Sequence, residues 1–560
     1  NQDEFSDPGS IIQAITDAGD CDGVVLASYS ADGATIIQAM AYQQISLPTF
    51  AGDGMAGTAA LTAFSIPAAS NGLVTTSPRA GSSTGDFPAT CAADTVCDAG
   101  IFTSEAYDAV MIIGAAAGHE SGANMATHLS MEGSGDGYAG ASGTHVFLAN
   151  GDVAGSGYDV CGFHHIPTYG EYYNCEHVWT ATDGLAAAPD TRTSVKIGFL
   201  GDATSPAIGD YWTNFQGAAM IGLGLANTIA YNQNIKFEIV WGDTACNEQT
   251  AATAAQTLVD SGVWGVVGAA CSDASKGANS VLSANGIPMI SYASTSAALS
   301  DESVYPDFYR VVPSDAGQSA ALADLLEARG EDTDGVAVIA ASNSYSAGLA
   351  DGFAAEWADK GNTLCTRANY DHETQTDFSS QAQSLVDNGC TSVLLVSYNA
   401  DGASIITALD DAGWSGQIYG TDGIAEVAIA ESMDTNSLLN GVIATKPASA
   451  EANAVSDAFN ALCVAPNPCA GGIFVAEAFD AVTIMAFSAF TFLTTPGLTP
   501  GQAVLATGND WTGASGSLTF LSNGDTPGSG YCVGTYAVDS ADAVTYTCTQ
   551  HWGANGLTDL

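Results

Sequence analysis

Bases are what this chain has least of. Lys and Arg total 10 in 560 residues, against 61 Asp and Glu, and the formal net charge is −51. Charged residues make up 13% of the chain, where about 25% is usual, and the shortfall lies on the basic side. Ten bases cannot line a phosphate-tracking surface, and the net charge repels nucleic acid and anionic membranes alike. Self-repulsion of this size needs screening by salt or divalent cations. That fits a salt-adapted protein, or an exported one in ordinary saline that uses few Lys and Arg. Also absent are CxxC, HExxH, a Walker loop and any evident nucleophile–base pair, so an enzyme is not expected. No membrane span is expected either. The most apolar run, AFDAVTIMAFSAFTFL at 478–493, carries Asp480 and falls short of the roughly 20 residues a span needs; it reads as a buried helix. No signal peptide is visible and residue 1 is Asn, so the N-terminus reads as processed or truncated.

What is present is core material and cysteine. Hydrophobic residues are 46% of the chain, enough for packed interiors, and the length suggests roughly two to four domains. Thirteen cysteines without CxxC point to disulfides outside the cytosol.

The odd cysteine count is explained by an internal repeat. VVLASYSADGATII at 24–37 parallels VLLVSYNADGASII at 393–406, and FAGDGMAG at 50–57 parallels YGTDGIAE at 419–426. SEAYDAV at 104–110 parallels AEAFDAV at 476–482, and GASGTHVFLANGDVAGSGY at 140–158 parallels GASGSLTFLSNGDTPGSGY at 513–531. The cysteines repeat too: Cys91/Cys97 with Cys463/Cys469, Cys161/Cys175 with Cys532/Cys548, and Cys21 with Cys390. Cys390 is expected to pair with Cys365, whose counterpart would precede residue 1, which leaves Cys21 alone. The expected layout is a partial copy over 1–182, holding the later half of the unit, a linker over 183–193, and a complete unit over 194–560. His164, His165 and His177 beside Cys161 and Cys175 raise zinc as a rival. The second copy keeps the cysteines without a His-His pair, so a disulfide is the simpler reading.

From 194 onward strands and helices alternate: SVKIGFLG, KFEIVWGD, WGVVGAAC, IPMISYAS, GVAVIAAS and SVLLVSY are strands separated by helical stretches. Alternating βα units build parallel sheets flanked by helices, an α/β fold, with ligands at the carboxyl ends of the strands. Here the sequence resembles the type I periplasmic solute-binding proteins, in the leucine/isoleucine/valine-binding branch that serves ABC importers. IGFLGDATSPAIGDYWTNFQGA at 197–218, GAACSDASKGA at 268–278, GIPMISYASTSAALS at 286–300, SYSAGLADGF at 344–353 and GTDGIA at 420–425 carry the resemblance. It implies two Rossmann-like lobes around a cleft, joined by crossings near 313, 445 and 515 and closing by hinge motion. It also implies a lobe-one disulfide between Cys246 and Cys271.

The resemblance further implies a site for the zwitterion of an α-amino acid. Ser272 at a helix start, Thr295 and the backbone of Ala293 match the carboxylate clamp, where hydroxyls, N–H groups and the helix dipole favour an anion. Asp422 matches the acid for the ammonium, which a closed cleft must pair. Tyr345 and Tyr398 match the aromatics that close over the ligand, and Tyr211 or Trp212 lies near the specificity aromatic. Each has a plainer role: Ser272 as a helix cap, Asp422 as a turn residue, Tyr398 as core. The expected function is an exported binding protein, extracellular, at the cell surface or periplasmic, for an amino acid or similar small polar solute. The alternative is a structural subunit of an extracellular filament or surface layer built from such tandem domains. The first copy keeps only Tyr29 and Asp53 of the site. Another chain or a cleaved segment is expected to complete it, with self-association. No cofactor is expected. The Asp/Asn/Gly loops ANGDVAGSGYD and SNGDTPGSGYC offer oxygens for Ca²⁺, though ordinary turns explain them as well.

Overall fold

The computed structural model describes residues 8–560 other than 20, 80–102, 119–126, 128, 130–133, 135–136, 151, 154, 156, 332–333, 450, 465–467 and 470–471. The chain divides into two units, Asn1–Arg192 and Thr193–Leu560.

The N-terminal unit carries a six-stranded sheet of β1 (Val24–Leu26), β2 (Thr49–Ala51), β3 (Val74–Pro78), β4 (Tyr158–Ile166), β5 (Gly170–Thr180) and β6 (Gly184–Ala187), in that order. The first three strands are parallel and the rest antiparallel. Helix α1 (Ser30–Tyr42) buries Ala34, Ile37 and Met40, the helical spacing that turns one face to a sheet. Strand β6 corrects the expected linker. Asp183 and Gly184, with Gly184 at φ 68°, make a turn whose Thr180 hydroxyl donates to Asp183 at 3.2 Å, and the chain folds back as a hairpin. The connection shrinks to 188–192.

The complete unit has two lobes. Lobe one is a parallel sheet of β7 (Thr193–Gly201), β8 (Ile235–Asp243), β9 (Gly265–Val267), β10 (Met289–Ser291) and β11 (Phe308–Arg310), ordered β8-β7-β9-β10-β11. Lobe two has β12 (Val336–Ala341), β13 (Thr366–Tyr370), β14 (Ser392–Val396), β15 (Gln417–Gly420), β16 (Ile443–Pro447), β17 (Tyr531–Val538), β18 (Val544–Gly553) and β19 (Gly556–Asp559), ordered β13-β12-β14-β15-β16-β17-β18-β19. Strands such as β12, VAVIAA, are buried at every residue, as parallel strands covered on both faces must be.

Strands β14–β19 repeat the pairing of β1–β6. Val24 faces Thr49 as Val393 faces Ile418, and Val74 faces Gly162 as Ile443 faces Thr535. A buried carboxylate recurs in the same setting. Asp108 of α2 (Thr103–Ala117) accepts from the Ala141 and Ser142 N–H groups at 2.6 and 2.7 Å, and Asp480 accepts from those of Ala514 and Ser515 at 2.8 Å each. Asp480 lies within α8 (Val475–Thr494), which is long and apolar enough to cross a bilayer but is mostly buried. It packs against α3 (Trp212–Ala230).

One buried cation holds the returning chain to lobe one. Arg310 is fully buried; its Nε donates to Asp525 at 2.7 Å, and its other nitrogens reach Ser294 O, Ser296 O and Ser300 Oγ at 3.2, 2.9 and 2.7 Å. This corrects the third crossing, expected near 515. Phe520 packs on Tyr309 and Gly524 O accepts from Arg310 N at 3.0 Å, so the chain stays with lobe one through 525 and crosses at 526–530. The acid of the loop SNGDTPGSGYC is thereby already neutralised by a protein cation.

Disulfides join Cys161–Cys175, Cys246–Cys271, Cys365–Cys390, Cys463–Cys469 and Cys532–Cys548, and Cys21 is an exposed thiol. The Cys91 and Cys97 expectation lies outside the described residues.

Replacing Asp525 by Ala leaves the Arg310 guanidinium buried without its counter-charge, which costs about 3–5 kcal/mol. Denaturant unfolding should show a loss of that order, and a loss below about 1 kcal/mol contradicts the assigned role of the pair.

Candidate functional site

The cleft of the complete unit is closed. Across it Asp273 accepts from Ser344 N at 3.0 Å and from the Ser344 hydroxyl, and Lys276 Nζ donates to Ser344 Oγ at 2.6 Å. Asn399 Nδ2 donates to the Tyr211 hydroxyl at 2.8 Å. These contacts join α4 (Ser272–Leu282) and the start of α3 in lobe one to the starts of α6 (Ser344–Asp359) and α7 (Asn399–Asp411) in lobe two.

The closed lobes enclose a cavity, and all six expected residues line it: Ser272, Ala293, Thr295, Tyr345, Tyr398 and Asp422. The space in which the centre of a water-sized sphere fits is about 70 Å³. A single water needs about 10–15 Å³, so the cavity is the size of a small molecule.

Lobe one supplies the polar donors. The strand β9 ends at Val267 and the chain runs through Cys271, extended at φ −80° and ψ 138°, into α4, so Ser272 is the first helical residue. Its Oγ accepts from Ser296 N at 3.3 Å. A helix start turns partial positive charge toward whatever lies before it. Thr295 and Ala293 follow β10 in a loop held by the Ser291 hydroxyl, which accepts from Ser294 N at 2.9 Å.

Lobe two supplies the acid. Asp422 follows β15 in a short turn and is 6% exposed. The Tyr345 hydroxyl donates to it at 2.7 Å and lies 2.9 Å from the Thr421 hydroxyl, and Gly423 N donates to the Tyr345 oxygen at 3.1 Å. A side chain at 423 would strike Ser397 O, so glycine is what lets the turn close on Tyr345. The Tyr345 and Tyr398 rings pack with centroids 5.7 Å apart.

A second acid stands behind the first, and the sequence reading missed it. Asp315 opens α5 (Asp315–Arg329), is 1% exposed, and neither of its oxygens has a donor in good hydrogen-bonding geometry. Burial and the Asp422 charge push its carboxyl well above the usual range, against smaller pulls from the Thr295 hydroxyl and Arg310. Burial likewise raises Asp422 to about 6, opposed by its hydrogen bonds. In the sequence Asp315 is only an acid in a first helical turn after Ser314, a capping pattern that gives no sign of a site. Among the described residues no Lys or Arg lines the cavity, and the one other acid there, Glu426, is paired with Lys446 at 2.5 Å.

The remaining wall is apolar. Ile208, Tyr211, Phe215, Ile473 and Phe474 line it. Of the two expected aromatics, Tyr211 reaches the cavity, whereas Trp212 packs into lobe one against Phe199 and Trp241 at 6.2 and 5.5 Å. In the N-terminal unit Tyr29 is 61% exposed and Asp53 is exposed as well.

The fold has counterparts among known proteins. The receptor family ligand-binding region matches residues 225–536. The chain belongs to that family. A Leu/Ile/Val-binding protein homologue from Brucella melitensis is 27% identical over 62% of this chain and 92% of its own length. A leucine-binding protein from Thermotoga maritima shares the fold at a TM-score of 0.55 and 21% identity, over 63% of this chain and 97% of its own. The isoleucine-bound branched-chain amino acid transporter substrate-binding protein of Streptococcus pneumoniae aligns at 0.52 and 20% identity, over 63% and 99%. The fold is that of the type I periplasmic binding proteins, and the family is one of ligand-binding regions rather than enzymes.

The raised carboxyl of Asp422 fixes the sign of a pH effect. Its protonated form favours the folded state; that contribution is whole below the ordinary value of 3.8 and is lost as pH rises through about 6, a difference of roughly 3 kcal/mol. Asp202 and Asp480, also raised to about 6, add the same sign in any variant that keeps them. Ligand-free Asp422→Asn should therefore gain stability over wild type as pH rises from about 4 to 7 in denaturant titrations. Parallel curves contradict the assignment.

Proposed function

We propose that the complete unit is an exported receptor that closes over a free α-amino acid with an apolar side chain. The observation that carries this is one cavity with unneutralised acid on one wall and hydroxyl donors at a helix start on the other. A ligand ammonium would meet Asp422, with Asp315 behind it. The ligand carboxylate would meet Ser272, Thr295 and the Ala293 backbone. The side chain would lie against Ile208, Phe215, Ile473 and Phe474. Charge-assisted bonds in a closed cleft are strong, and a buried charge without a partner is costly, so the site favours a zwitterion over a neutral solute. Relatives named for leucine, isoleucine and valine support the apolar side chain. The five disulfides among the described residues support export, to a periplasm or the cell exterior. The structural-subunit alternative draws nothing from the relatives.

Thermal shift and titration calorimetry with leucine, isoleucine and valine test the reading. At least one should raise the melting temperature. Ser272→Ala removes a bond to a charged group, worth about 1.5–3 kcal/mol, and should weaken binding roughly ten- to hundredfold. Asp422→Asn should weaken it by about a hundredfold or more. Stabilisation by none of the amino acids, or unchanged binding in Asp422→Asn, contradicts the proposal.

A further inference from the structure

The two copies of the repeat carry the same strands in different surroundings. In the complete unit β14 lies inside its sheet: β12 runs parallel beside it, with Ala337, Val338 and Ile339 opposite Val393, Leu394 and Leu395. The counterpart strand β1 is the edge of its sheet. A bare edge is a template for another strand.

The face beside that edge differs in the same sense. Leu394 and Tyr419 are 0% and 1% exposed, packed with Leu322 and Leu326 of α5 and Leu349 and Phe353 of α6. Their counterparts Val25 and Phe50 are 81% and 46% exposed. The third difference is the thiol. Cys390 is bonded to Cys365, the residue before β13, whereas Cys21 is free and exposed. Edge, face and thiol thus lack three parts of one continuous stretch, 315–365, whose place in the fold the complete unit displays.

We propose that β1, its apolar face and Cys21 form a docking surface for a segment of the same build. That segment has a helix with Leu at the positions of 322 and 326, a strand that adds parallel to β1, and a second apolar helix. It ends in a cysteine that bonds Cys21. The strand restores the missing ladder, as in β-strand addition generally, and the helices cover Val25 and Phe50. The covalent step joins two thiols as a disulfide. It removes two electrons and two protons, which reduce one low-molecular-weight disulfide, such as oxidised glutathione, to two thiols. The inference is independent of the amino-acid site.

The test mixes the full chain with a separately made segment of residues 313–370 of this sequence, in a glutathione redox buffer. Peptide mapping should find a one-to-one adduct joining Cys21 to Cys365 of the added segment, and amide exchange at Val24–Leu26 should slow at least tenfold. Cys21→Ser should keep the slowed exchange without the adduct. Val25→Lys, at an exposed position the fold tolerates, should lose both. No adduct with wild type, an equal adduct with Val25→Lys, or dimers through Cys21 of two full chains with β1 paired to β1 would each overturn the proposal.

Discussion

A buried acid with no protein cation beside it governs the complete unit. Elsewhere the chain meets a buried or half-buried carboxylate with a base, as for Asp525 and Glu426, or with a pair of backbone N–H donors, as for Asp480. At the centre of the cleft it does not. Asp422 receives a phenol hydroxyl, and Asp315 behind it adds a second carboxyl. In a closed, water-poor space that arrangement is tolerable only while the acids hold protons or while something cationic arrives. The opposite wall presents hydroxyls and a helix start, which suit an anion. Both demands met within one small cavity describe a molecule that carries both charges.

The same constraint explains why closure and binding are coupled. The lobes meet through Asp273, Lys276 and Ser344 and through Tyr211 and Asn399, polar contacts at the rim that exclude water from the acids. A ligand that supplies the positive charge removes the cost of burying the acid, and so draws the equilibrium toward the closed form. The stabilities of the empty and filled proteins therefore differ most where the acid would otherwise be ionised.

Much of this was legible in the sequence, and the unread parts have physical reasons. Strands such as 336–341 are unbroken apolar runs, and the repeat showed itself in matched tyrosines, acids and cysteines. That the six expected residues gather at one cavity was legible because their loops follow strand ends in a pattern shared with a known family. Asp315 was not, because an acid after Ser314 looks like an ordinary cap and its burial depends on α5 crossing into lobe two. Nor was the choice of Tyr211 over Trp212, which depends on how the first turn of α3 rotates. Residues 184–187 looked like linker because the strand is only four residues long and mostly exposed. Phe50 and Tyr419 show the limit most plainly: matched positions give one half-exposed ring and one buried ring, because burial belongs to what packs on top.

The most direct test of the central idea follows the proton. Calorimetric titration with leucine, isoleucine or valine in two buffers of different ionisation enthalpy at about pH 6 measures protons exchanged on binding. An ammonium meeting Asp422 forces that carboxyl to ionise, so binding should release protons near pH 6, and the release should vanish in Asp422→Asn. Tight binding with buffer-independent heats, or with proton uptake, would contradict the account.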